Sequence, residues 1–216
     1  MPAQTRTSKW AGREATRLAR EADRRNPATL FDLLNASLIH AYTDTIISIS
    51  DAGEKDAPIR YLKEFIDDRC FFEIGAYILF MLDVWHVSEQ LPEACRTLFN
   101  YDVVPRFAVT FKTALRQDNL GQVLANRFDA YGSFIRSKDF EKLRFSLEQA
   151  VMWSKQGQFR MLETDKPQPL MIYGVQYDMA IQMMNSAILE VILPECEKRV
   201  RLIYSKLGLV SAAPPE

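Results

Sequence analysis

Two histidines occur in the chain, and each has a carboxylate one helical turn away: His40 with Asp44 at i,i+4, and His86 with Asp83 three residues before it. Imidazole nitrogens and carboxylate oxygens are zinc donors, so on paper these four could hold one metal between two helices. The wider pattern argues otherwise. A di-iron carboxylate bundle carries Glu-x-x-His on each of two helices, and neither helix here has it. A hairpin bent near residue 53 would also leave His40 and His86 about 30 Å apart along the axis, at 1.5 Å per residue. The expectation is two ordinary histidines, hydrogen-bonded or at the surface, with no metal and no cofactor.

Glu73 is the best candidate for a perturbed acid. It sits between Phe72 and Ile74, and burial raises a carboxyl pKa. Arg69, one turn earlier, offers an ion pair that would lower it instead. A polar line, Asp178, Gln182 and Asn185, runs along a helix whose other faces carry Tyr173, Tyr177, Met179, Met183 and Met184. Met and Tyr together suit an adaptable pocket or partner groove. The alternative is a solvent-facing polar line over a Met/Tyr core. If a ligand pocket exists, its expected residues are Glu73, Tyr173, Tyr177, Asp178 and Met183.

Arg6, Lys9, Arg13, Arg17, Arg20 and Arg24 recur at steps of three and four, which places all six on one stripe of a helix. Their mutual repulsion costs about 1–2 kcal/mol across the stripe. An acidic partner or a phosphate backbone would relieve it, as would solvent or an acidic face of the same chain. Residues 1–25 hold seven Lys/Arg against Glu14, Glu21 and Asp23, a balance of +4; the overall −1 leaves −5 for the remainder.

Cys70, Cys95 and Cys196 are widely spaced and form no CxxC pair, so neither zinc nor redox chemistry is indicated. No apolar stretch follows the N-terminal basic residues, and acidic residues among them disfavour a transit peptide. Reduced thiols in a cytoplasmic protein are the natural expectation. No Gly-rich phosphate loop or nucleophile elbow occurs.

The elements that must position these groups are helices. Phe71–Val87 reads FFEIGAYILFMLDVWHV and is apolar without interruption from Ile74 to Leu82. A helix apolar all round must be covered all round. That core is shorter than the roughly 20 residues a bilayer requires, and Glu73 and Asp83 would be costly in lipid, so a central buried helix is expected. The amphipathic stretch beginning at Pro58 either runs on into it as one long helix or is separated from it by a break near Cys70. Asn26-Pro27 opens a helix to about Ser50. Short helices are expected from Leu91 to Asn100 and from Pro105, interrupted by Tyr101–Val104.

A helical hairpin spans 119–156, with Phe140, Leu143, Leu147, Ala150 and Met152 inward. Its turn, Ser137 to Lys142, resembles that of a tetratricopeptide repeat. Leu143 stands where that family has a small residue, and no copy recurs at about 34 residues, so the pair is read as a generic αα-hairpin. Leu170–Leu193 is the second buried helix. It is kinked or restarted at Pro194 and followed by a basic helix to Leu207, with Gly208 as its cap.

The whole reads as an all-α domain of seven to nine helices over 26–208, built around 71–87 and 170–193. A basic arm (1–25) precedes it and a disordered tail (209–216) follows. The expected function is a non-enzymatic interaction or regulatory module that self-associates. The alternatives are nucleic-acid or anion binding through the Arg stripe, and a helical small-ligand binder or enzyme.

Overall fold

A computed structural model describes residues 67–164 and 175–211, together with Phe31, Asp32, Leu34, Asn35, Asp44, Ile47 and Phe65; of 175–178 it describes the backbone only. Among these residues the protein is all-helical, with no strand and five continuous helices. They are α1 (Asp68–Ser88), α2 (93–115), α3 (Leu120–Ser137), α4 (Phe140–Lys155) and α5 (175–206).

Helix α1 begins where Asp67 caps it, its carboxylate accepting from the Arg69 and Cys70 amides at 2.7 and 3.2 Å. The chain therefore does break just before Cys70. Residues 70–80 of α1 are buried without exception, and α2, α3, α4 and the end of α5 all pack on it, α4 most extensively. By length and composition α1 could cross a membrane, but 72% of its most apolar window lies inside the fold.

Helices α2 and α5 depart from expectation in the same way. Tyr101–Val104 does not interrupt α2, and Pro194 does not divide α5. Each passes through a five-residue π turn, Phe99–Val103 and Ile188–Ile192, with a proline two residues beyond it. A proline inside an α-helix lacks a donor and drives its ring into the carbonyl four residues back. In the wider turn the Val104 amide reaches the Phe99 carbonyl, and Leu193 reaches Ile188, five residues back. This moves the carbonyls clear of the ring.

The wide turn also fits the packing. Cys95, Phe99, Val103, Phe107 and Phe111 are all buried, as are Met184, Ile188, Ile192, Cys196, Val200 and Tyr204. A step of four overshoots a 3.6-residue turn by about 40°, and the π turn absorbs part of that drift. It also turns Val191 outward, to 52% exposure, although the sequence pattern places it on a buried face. Helix α5 is thus buried on one side only, with Met179 and Leu189 exposed as well.

In the α3–α4 hairpin Asp139 caps α4 by accepting from the Lys142 amide at 3.1 Å. Leu143, Leu147, Ala150 and Met152 point inward, but Phe140 is 61% exposed.

All five helices end on a left-handed residue. Gly157 and Gly208 suit that conformation, whereas Gln90, Arg116 and Lys138 adopt it at φ 51°, 53° and 57°. A side chain there costs roughly 1–2 kcal/mol, and glycine returns part of that to unfolded-chain entropy. We expect Arg116→Gly and Lys138→Gly each to stabilise by about 0.5–1 kcal/mol. The pair together should raise Tm by roughly 2–6 °C in a thermal melt. No gain in the double variant would refute the account.

Candidate functional site

Glu73 is fully buried, and its partner is Arg127 on α3, not Arg69. The Arg127 Nε and Nη2 donate to the two carboxylate oxygens at 2.7 and 2.9 Å, with both side chains at 0% exposure. Arg127 Nη1 donates to Asn126, which in turn holds the Leu162 backbone through both ends of its amide. Burial works against the Arg127 charge, but the Glu73 carboxylate outweighs it and keeps the guanidinium protonated. One turn along each helix, Tyr77 meets Tyr131 edge to face at 5.5 Å. These pairings set α1 and α3 side by side, running in the same direction. Arg127 carried no sequence signal except its spacing from Tyr131, which repeats that of Glu73 from Tyr77.

Asp83 and His86 each find their partners within the protein. Asp83 accepts from Arg96 Nε and Nη2 at 3.0 and 3.2 Å and from Asn100 at 2.9 Å. Burial pushes its carboxyl up, but those hydrogen bonds and the Arg96 charge outweigh it and leave its pKa below the ordinary value. His86 is buried. Its Nδ1–H donates to the Leu82 carbonyl, and its Nε2 lies 2.7 Å from the Tyr204 hydroxyl. Both ring nitrogens are therefore engaged by protein. No group of three or more His, Cys, Asp or Glu suited to a metal occurs among the described residues.

A groove of about 580 Å³ opens above this cluster, between the end of α1 and the first turns of α2. His86 forms part of its lining; Glu93, Arg96, Thr97 and Asn100 line one wall, and Tyr101 stands at the rim, 82% exposed. Two features associated with functional sites border it. Gln90 holds a strained left-handed conformation, and Asn100 and Tyr101 belong to the π turn.

The expected pocket around Glu73 and the Met/Tyr helix takes a different form. Glu73 is consumed by Arg127. Met183 is half-buried and packs against the core. The Tyr177 and Asp178 side chains, and Tyr173 entirely, lie outside the described residues, as do Arg6, Lys9, Arg13, Arg17, Arg20, Arg24 and His40. Asp44 is helical and half-buried.

The three cysteines are free and buried. Burial pushes the Cys70 and Cys196 thiols up to about 12, and raises Cys95. Since the thiolate is the reactive form, the native protein is expected to resist a thiol reagent at neutral pH and to release all three thiols only in denaturant. A rapidly reacting native thiol would contradict this.

No protein-family model, curated protein or solved structure matches the chain.

Proposed function

We propose that the chain is a non-enzymatic helical interaction module that associates with a second copy of itself through the outer face of α5. One observation carries the reading: among the large exposed apolar side chains, Met179, Leu189, Val191 and Leu202 share this one helix. Their positions are close to symmetric about Glu190. An antiparallel crossing there sets Met179 of one copy near Leu202 of the other, while Leu189 and Val191, two residues apart, flank Glu190 on opposite edges of the exposed face. A twofold interface needs such self-complementarity. In support, the buried Glu73 is engaged by Arg127, and His86 by the Leu82 carbonyl and Tyr204.

Light scattering at low and high salt tests this. The wild type is expected to be dimeric at both, because the contact is apolar. Val191→Glu with Leu202→Glu is expected to be monomeric with an unchanged circular dichroism spectrum, and Glu190→Leu to tighten the dimer. A monomeric wild type refutes the proposal.

The small-ligand reading moves to the groove beside Tyr101, and stabilisation of the melting transition by a ligand would favour it. The nucleic-acid reading through Arg6 to Arg24 predicts affinity that falls steeply with salt. A cytoplasmic location, the absence of a membrane span and a full count of seven to nine helices over 26–208 belong to the same proposal; the burial of α1 favours the second of these.

A further inference from the structure

His86, Tyr204 and the Cys95 carbonyl bring α1, α5 and α2 together at three atoms. The His86 Nδ1 must carry a proton, because the Leu82 carbonyl opposite it can only accept. The Nε2 faces the Tyr204 hydroxyl at 2.7 Å, and that hydroxyl also lies within donating distance of the Cys95 carbonyl, at 3.2 Å. A hydroxyl has one proton to give and lone pairs to receive. When His86 is neutral, Nε2 is a bare acceptor and accepts a hydrogen bond from the Tyr204 O–H. When His86 is charged, Nε2–H donates to the tyrosine oxygen, and the tyrosine O–H is left to serve Cys95. Every buried polar group at the junction has a partner in either state.

We infer that these three groups form a proton-operated hydrogen-bond switch, in which protonation of His86 Nε2 turns the Tyr204 hydroxyl from α1 to the α2 backbone. The proton comes from solvent through the groove, whose lining includes His86. It adds to a lone pair, and no covalent bond breaks. The acid state gains a tie between α5 and α2 that the neutral state lacks, and keeps the tie between α5 and α1.

The charged groups around the ring set the working range. On α1, Asp83 favours the imidazolium; on α2, Arg96 opposes it, but Arg96 and Asp83 hold each other. Glu93 lines the same groove. Glu89 and Arg201, paired at 2.7 Å, border this end of the fold, with the Arg201 guanidinium over Trp85. Tyr204 stays protonated, because burial raises its phenol. Burial is the largest influence on His86 itself and holds its pKa below the ordinary 6.5. The folded chain then binds fewer protons than the unfolded chain as pH falls through 6.5, so this histidine's contribution to stability is present above that value and declines below it. The switch operates on the acid side of neutrality. It does not rest on the self-association proposal.

The test is nitrogen-15 NMR of the full chain labelled at histidine. With two histidines in the sequence, His40→Gln assigns the remaining signals to His86. At neutral pH the Nε2 shift is expected in the unprotonated range and Nδ1 in the protonated range. On acidification Nε2 is expected to move to the protonated range in a chain that keeps its folded amide pattern, with the carbon-13 signal of the Cys95 carbonyl following the same curve. In Tyr204→Phe the Cys95 response is expected to vanish; should that variant not fold, the wild-type carbonyl curve decides alone. An Nε2–H tautomer at neutral pH, a Cys95 signal indifferent to His86, or unfolding before His86 titrates would each overturn the inference.

Discussion

Arg127→Met is expected to cost about 3–5 kcal/mol, a large share of the roughly 5–15 kcal/mol that holds a domain together. The variant leaves the Glu73 carboxylate in the core with neither of the two guanidinium bonds it now accepts. Very little of the loss is packing, because methionine follows most of the arginine stem. The companion variant separates the pair from its parts. Glu73→Leu with Arg127→Met removes both charges and fills the same space, and such replacements of buried pairs are often neutral or better. Urea unfolding should therefore show a deep loss of midpoint for the single variant and recovery of most of it for the double. A single variant with a wild-type midpoint would mean that water reaches Glu73 and that the pair is not buried in solution. The pair's value to the fold then lies in alignment: it fixes which turn of α3 lies against which turn of α1.

Phe107→Ala is expected to cost a comparable 3–5 kcal/mol. Its ring stacks against Phe72 at 5.7 Å, meets Phe111 at 4.7 Å and is buried almost completely. It also explains Gly75, an otherwise poor residue for the middle of a buried helix. A β-carbon on Gly75 would lie 2.6 Å from the Phe107 Cζ, and the ring has no free side to which it can retreat. Gly75→Ala should therefore destabilise by about 1–3 kcal/mol, although alanine gains up to about 1 kcal/mol in helix propensity over glycine. With Phe107 already alanine, the sign should reverse, since the new methyl then enters the vacated space. Denaturant melts of the four-member cycle measure this. Gly75→Ala costing the same in both backgrounds would show that α1 and α2 are not in contact at this point.

Much of the architecture was legible in the chain. The unbroken apolar run from Ile74 to Leu82 gave α1, the hairpin over 119–156 gave α3 and α4, and Gly208 gave the end of α5. All are local signals, carried by periodicity or by a cap. The Glu73 partner was not legible, because Arg127 lies 54 residues away and Arg69 offered a nearer pairing of ordinary helical spacing. His86 was read through Asp83 for the same reason, whereas its real contact, Tyr204, is 118 residues distant. The two continuous helices were missed for a different reason. A 3.6-residue template breaks at Tyr101 and at Pro194, but the apolar residues keep a step of four through both places, with a proline two positions after Val103 and after Ile192. That signal was present and needed a wider turn to be read.

Those wide turns also bear on how the gene can change. Deleting one codon from the stretch that encodes 99–103 or 188–192 would shorten the product by a single amino acid, and the wide turn is where such a loss is met. A π turn spends one residue more than an α turn on about the same rotation, so the helix beyond would return to the α period with Phe107 and Phe111, or Cys196 and Val200, near the faces they now occupy. The same loss from the middle of α1 would swing everything beyond it by about 100°. The cost here falls on Pro105 or Pro194 instead, whose ring would meet the carbonyl four residues back once the wide turn is gone. Selection on these two short stretches therefore acts on the proline and the residue count together.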